Sequence, residues 1–268
     1  MPVDIDLDAV FMPKNVLVSP LNNPQKFLTG NYLLTENQES IKQQIIEYIS
    51  TINHDRFVGL TGGPGTGKTL LIYDLAKEMS KAKSVLLVHS GILCDGHIYL
   101  NEHLGNVKII PAKDLRLREI SDADIVVVDE AHRLYESILE KIERWVKRTN
   151  AICIFSYDVG QKLSNTENRR KTTDEISKLC TQHIYKLTNK IRTNKELALF
   201  ITCLLDLSKY REEYRFPNVQ VFYEPDNLNA VKLAKSLSDY TYIGYTPSIY
   251  DHSLDFQISE NNTHTVIG

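Results

Sequence analysis

Eight consecutive residues, Gly62-Gly63-Pro64-Gly65-Thr66-Gly67-Lys68-Thr69, carry the spacing G-x-x-x-x-G-K-[ST], and the chemistry of that spacing is the cradling of phosphate. Glycines let a backbone curl so that successive N–H groups converge on phosphate oxygens, and a helix that follows adds the positive end of its dipole. In such a loop the Lys68 ammonium addresses the β- and γ-phosphates, while the Thr69 hydroxyl is a ligand for Mg2+. A second group is then required, an acid at the end of a neighbouring strand. The run Ile125-Val126-Val127-Val128-Asp129-Glu130 provides one. Asp129 is the second candidate metal residue, and Glu130 stands where a carboxylate can take a proton from an attacking water. Lys68 with Asp129 marks a magnesium–nucleotide site, and Glu130 favours hydrolysis over storage.

These groups need elements to hold them. Short apolar runs at 57–61, 85–89, 107–110, 125–128 and 151–156 alternate with helical patterns, as a parallel sheet covered on both faces requires. Residues 37–50 space Ile41, Ile45, Ile46 and Ile49 for one buried helix face, with Thr35 as N-cap. Residues 68–81 do the same with Leu71, Ile72, Leu75 and Met79, and residues 134–149 with Ile138, Ile142 and Trp145. The first 35 residues hold four of the nine prolines and read as an irregular lead-in. After Cys180 a weaker pattern predicts a helix at 196–208, strands at 219–223 and 242–245, and a helix at 227–238.

Composition removes several classes. With 268 residues, 42% hydrophobic and 24% charged, the chain is neither disordered nor fibrous. Asp4, Asp6 and Asp8 near the start oppose a targeting segment, and no apolar stretch approaches the roughly 18 residues that span a bilayer. No membrane role is expected. Cys94, Cys153, Cys180 and Cys203 form no Cys-x-x-Cys pair, which suits reduced thiols and a cytoplasmic location. His89, Cys94, His97 and His103 match no standard zinc spacing. A net charge of −3 leaves any nucleic-acid binding to a local surface, for which Lys141, Arg144, Lys147 and Arg148 and the run Arg169-Arg170-Lys171 are candidates.

Further motifs follow in order. They are Thr35-Glu36-Asn37-Gln38, the segment Val88-His89-Ser90-Gly91 with Gly96-His97, Phe155-Ser156-Tyr157-Asp158-Val159-Gly160-Gln161, and Leu187-Thr188-Asn189-Lys190-Ile191-Arg192. Together with the phosphate loop (Walker A) and the acid pair (Walker B), this set resembles superfamily 1 helicase-like ATPases. Within them it resembles the predicted DNA/RNA-helicase-like ATP-binding family related to the Schlafen helicase domain. The resemblance implies that Gln38 reads the adenine edge, that Ser90 and His97 contact nucleic-acid backbone, that Gln161 senses the γ-phosphate and that Arg192 is a phosphate-directed finger.

The architecture implied is α/β. A RecA-like P-loop NTPase domain with a parallel sheet occupies about 36–183 after the 1–35 lead-in, and an incomplete second RecA-like domain follows at 184–268. Residues 261–268 resemble the opening of a further motif whose acidic end is not reached. The implied function is Mg2+-dependent ATP hydrolysis by a helicase or translocase acting on single-stranded DNA or RNA, with ATP between the two domains. An ATP-driven switch or defence-type ATPase that moves no nucleic acid is the alternative on the same scaffold.

Overall fold

The computed structural model describes residues 18–51, 56–149, 151–159, 172–188 and 195–237. The chain forms two compact units, one of residues 1–191 and one of 192–267.

The first unit is a six-stranded sheet in the order β3-β2-β4-β5-β1-β6, every described pairing parallel. Its strands are β1 (Phe57–Gly62), β2 (Val85–His89), β3 (Val107–Pro111), β4 (Ile125–Asp129), β5 (Ile152–Tyr157) and β6 (Ile184–Leu187). β2, β4 and β5 are buried at every position, because their alternate side chains serve two cores. On one face lie α1 (Pro24–Leu28), α2 (Glu36–Thr51), α3 (Lys68–Met79) and α4 (Asp95–His103). Here Ile41, Ile45, Leu71, Leu75 and Leu100 close over Val58, Leu60, Leu87, Val127 and Ile154. On the other face lie α5 (Leu117–Ser121), α6 (Glu136–Arg148) and α7 (Thr172–Cys180). Ile120, Leu139, Ile142, Val146 and Ile176 there cover Phe57, Leu86, Val126, Val128 and Phe155.

This topology creates the site. The chain leaves β1 along one face through α3 and leaves the adjacent β5 along the other through α7, so their carboxyl ends open a crevice of the kind in which α/β sheets take ligands. β4 ends beside it, one strand away from β1.

Most sequence-derived elements lie within a few residues of their expected places. Two differ. Ile184–Leu187 pairs with β1, so the first sheet extends past the expected boundary at 183. Residues 219–223 run without ladder partners among the described residues, although their Val-Gln-Val-Phe-Tyr pattern reads as a strand. Expected strand 242–245 and residues 261–268 lie outside the described residues.

The second unit contains α8 (Lys195–Leu205) and α9 (Asn227–Ser236). Asn218 donates from its backbone N–H and its Nδ2 to the Glu196 carboxylate, each at 2.7 Å, and the Phe200 and Phe216 rings meet edge to face. No helix among the described residues is long and apolar enough to cross a membrane.

At the free edge formed by β3, the Ile109 N–H donates to the Asn101 side chain of α4 at 2.6 Å, and Lys108 is exposed. α4 itself is packed so closely on the segment before α1 that a methyl group on Gly96 would overlap the Leu21 carbonyl. Gly96→Ala should therefore cost about 3 kcal/mol in chemical denaturation. Gly105→Ala, where a methyl would meet nothing within 4 Å, should change the midpoint little.

Candidate functional site

The curl of the phosphate loop rests on two residues. Gly65 (φ 77°) and Gly67 (φ 81°) occupy the left-handed region, where a Cβ is penalised. Between them Thr66, 2% exposed, donates its hydroxyl to the Gly63 carbonyl at 2.9 Å. Gly67 then caps α3, its carbonyl accepting from Leu71 N–H at 3.1 Å. Lys68 and Thr69 are thereby the first two residues of that helix.

Lys68 is 6% exposed, and its ammonium is ringed by acceptors: the Gly62 carbonyl at 2.8 Å, the Gly63 carbonyl at 3.1 Å and Asp158 Oδ2 at 3.5 Å. Asp158 follows β5, and its side chain is itself buried. One strand over, Asp129 ends β4 at 1% exposure, and its Oδ1 accepts from the Glu130 N–H at 3.0 Å. Glu130 takes a left-handed backbone (φ 54°), uncommon for a residue with a Cβ. Burial, then the Asp129 charge, push its carboxyl up to about 7. Its Oε2 lies 3.5 Å from His132 Nε2, and His132 Nδ1 accepts from the Asp158 N–H at 3.3 Å. The imidazole thus bridges the acid after β4 to the acid after β5. Because Nδ1 is an acceptor, the neutral ring carries its proton on Nε2, toward Glu130.

Ser90 donates its N–H and its hydroxyl to the Asp129 carbonyl at 3.2 and 3.0 Å, tying the loop after β2 to the end of β4. His97, expected to touch nucleic-acid backbone, is 1% exposed. That expectation is corrected: its Nδ1 accepts from the Cys94 N–H at 3.0 Å in a capping box of α4, and its ring sits 4.4 Å from that of His89. Burial, then His89, push His97 down to about 3, and burial lowers His89 as well. Both are neutral interior groups.

Gln38 is also turned inward. It is 1% exposed, its Oε1 accepts from the Thr35 N–H at 2.9 Å, and its Nε2 donates to the Gly67 carbonyl at 3.2 Å. The reason is local, since Thr35 caps α2 and Gln38 is the glutamine that closes the capping box. Gln161, Arg192 and the run 169–171 lie outside the described residues. Lys141, Arg144, Lys147 and Arg148 are exposed on α6, with Lys147 paired to Glu143 at 2.6 Å.

The sequence places Asp158 in the 155–161 motif but gives neither it nor His132 a role, yet the two connect the expected residues.

The residues fit a magnesium–triphosphate. A buried ammonium stands in a curled loop, a hydroxyl lies in the first helical turn, and a buried carboxylate ends the neighbouring strand but one. Among the described residues no group of three or more His, Cys, Asp or Glu could hold a metal ion alone.

The family model for the Schlafen group 3, DNA/RNA helicase domain matches residues 56–237, which contain the phosphate loop, the acid pair, His132 and Asp158. The chain belongs to this family. As a Schlafen-type helicase domain it is a helicase-like P-loop ATPase, α/β in class with a RecA-like parallel sheet. Gln38 lies before the matched segment. No curated protein matches the sequence. Among solved structures, AMPPCP-bound DnaA from Aquifex aeolicus is similar at 14% identity and TM-score 0.42, covering 78% of this chain and 65% of DnaA. The Pif1 helicase from Bacteroides is similar at 18% identity and TM-score 0.41, covering 82% of this chain and 55% of Pif1. The flagellar accessory protein FlaH from Methanocaldococcus jannaschii is similar at 16% identity and TM-score 0.38, covering 54% of this chain and 76% of FlaH. The Schlafen-type domain therefore spans just under two thirds of the DnaA structure and about half of the Pif1 structure.

The raised carboxyl of Glu130 has a consequence for stability. The folded state holds a proton on it up to about pH 7, whereas an unfolded glutamate releases it near 4.5, so this group's contribution is lost as pH rises through that window. Glu130→Gln should stabilise the domain at pH 8 by roughly 3 kcal/mol and change little at pH 4.5, in urea titrations with a chelator present. An equal difference at both pH values would mean that the carboxyl is not raised.

Proposed function

We propose that this chain binds Mg-ATP through residues 62–69 and Asp129, hydrolyses it with Glu130 as base, and acts as a helicase- or translocase-type ATPase on single-stranded nucleic acid. The observation that carries the reading is a buried ammonium, held by the Asp158 carboxylate, together with a second acid, Glu130, whose carboxyl is raised, at the carboxyl ends of β1, β5 and β4. Lys68 brings one full positive charge to the concave side of the loop, where charge spreading over a transferring phosphoryl group is stabilised most. Thr69 and Asp129 are the residues that would hold Mg2+, which supplies Lewis-acid charge to the phosphate oxygens when bound.

Glu130 receives the proton of the attacking water. A carboxyl near pH 7 is a stronger base than an ordinary one and is still substantially ionised at neutral pH. His132 orients it and links its position to the Asp158 backbone at the root of the Gln161 segment. Gln161 and Arg192 keep the γ-phosphate roles that the family resemblance implies.

The nucleic-acid part of the reading is supported by the family, which is described as a DNA/RNA helicase domain, and by the exposed cations of α6. Lys68→Ala should abolish ATP binding. Glu130→Gln should keep binding and slow phosphate release at least a hundredfold, as measured by isothermal titration and a phosphate-release assay. Single-stranded DNA or RNA should accelerate the wild-type rate several-fold, in a salt-sensitive way. A rate indifferent to both would leave an ATP-driven switch in place of a motor.

A further inference from the structure

Two polar links join α2 to the helix that carries the phosphate-binding lysine. The first is the Gln38 amide on the Gly67 carbonyl. That carbonyl also begins the α3 hydrogen-bond ladder, so Gln38 bears on the residue immediately before Lys68. The second lies one helical turn along α2. Lys42 Nζ meets Asp74 Oδ2 of α3 at 2.8 Å, with side chains only 13% and 10% exposed. The other Asp74 oxygen accepts from the Tyr32 hydroxyl. Beyond it, Lys77 of α3 donates to the carbonyls of Phe27 and Leu28 at 2.9 and 3.0 Å and lies over the Phe27 and Tyr32 rings.

These links are stiff for a physical reason. A charge pair this far from water is costly to separate, because either member left alone keeps its desolvation penalty. Gln38 stands at the loop end of the same interface, where its Oε1 accepts from both the Thr35 N–H and, at 3.3 Å, the Thr35 hydroxyl, and its Nε2 donates to Gly67, so that both lone pairs and one donor are taken by protein groups. A carboxamide so engaged has no complementary pair left with which to read a base edge.

We propose that Gln38, Lys42 and Asp74 form a strut that positions the phosphate loop through Gly67, so that Gln38 governs triphosphate affinity and does not select the base. The proposal rests on the reading of residues 62–69 as a triphosphate site. It makes Gln38 a positioning residue, and it assigns the same role to an ion pair some distance from the phosphates.

The decisive ligand is one without a base. Dissociation constants for ATP, GTP and inorganic tripolyphosphate, each with Mg2+, would be measured on the wild-type chain and on Gln38→Ala, Lys42→Met, Lys42→Arg and Lys68→Ala. Gln38→Ala should weaken all three by about tenfold, in the same proportion, the loss expected of one buried hydrogen bond at the loop. Lys42→Met should do the same to a smaller extent, and Lys42→Arg should restore affinity. Partial unfolding would also weaken all three ligands in one proportion, so a urea titration of each variant must show the folded state fully populated at the assay condition, and a Gln38→Ala loss that disappears once the folded fraction is corrected for would overturn the strut. If Gln38→Ala spares tripolyphosphate while lowering ATP selectively, Gln38 reads the base and the strut is wrong. If it spares all three, the bond to Gly67 is inert and the strut is equally wrong. A wild-type chain that binds none of the three, as Lys68→Ala should, would overturn the triphosphate site itself.

Discussion

An ammonium group leaves water only where oxygen atoms replace its hydration shell, and the position of Lys68 is the solution to that requirement around which the first unit is organised. Two of its acceptors are carbonyls of the loop itself, and the third is Asp158, delivered from the neighbouring strand. The loop can present those carbonyls only because glycines at 65 and 67 permit its curl. Asp158 can reach it only because β5 lies directly against β1 in the sheet. The same parallel order sets β4 one strand further on and so brings a pair of acids, Asp129 and Glu130, to the same end of the sheet. Hydrophobic burial on both faces holds the strands in this order, and the charges at their ends are positioned by it.

Around the cation the acids are differentiated by their surroundings. Asp129 is fixed by the backbone N–H that follows it, while Glu130, one residue on, takes a left-handed conformation, and burial together with the Asp129 charge makes it harder to ionise. His132 adds mechanical continuity, because one ring nitrogen faces Glu130 and the other accepts from the backbone after β5.

Much of this was legible in the residues alone. The loop pattern, the acid pair and the both-faces-apolar strands identify the fold class and five of the six strands, because period, spacing and side-chain chemistry agree there. Reading failed where tertiary partners decide. Ile184–Leu187 is too short to announce a strand, and it becomes one by pairing with β1. Residues 219–223 have a strand's composition yet lack a ladder among the described residues. The sequence reads His97 as part of a surface loop, but it lies in the first turn of α4, where Cys94 and His89 hold it in the interior. Asp158 lies in the 155–161 motif and His132 just beyond the acid pair, but what they touch is set by distances across the sheet that no spacing states.

The outer border of that sheet has a consequence of its own. A terminal strand with unclaimed amides invites extension by a strand from another molecule. On β3, however, the Ile109 amide is already taken by Asn101, and Lys108 places a hydrated charge beside it. Self-association by sheet growth is thereby discouraged along this flank, and the same few atoms that finish α4 against its strand also keep neighbouring copies apart.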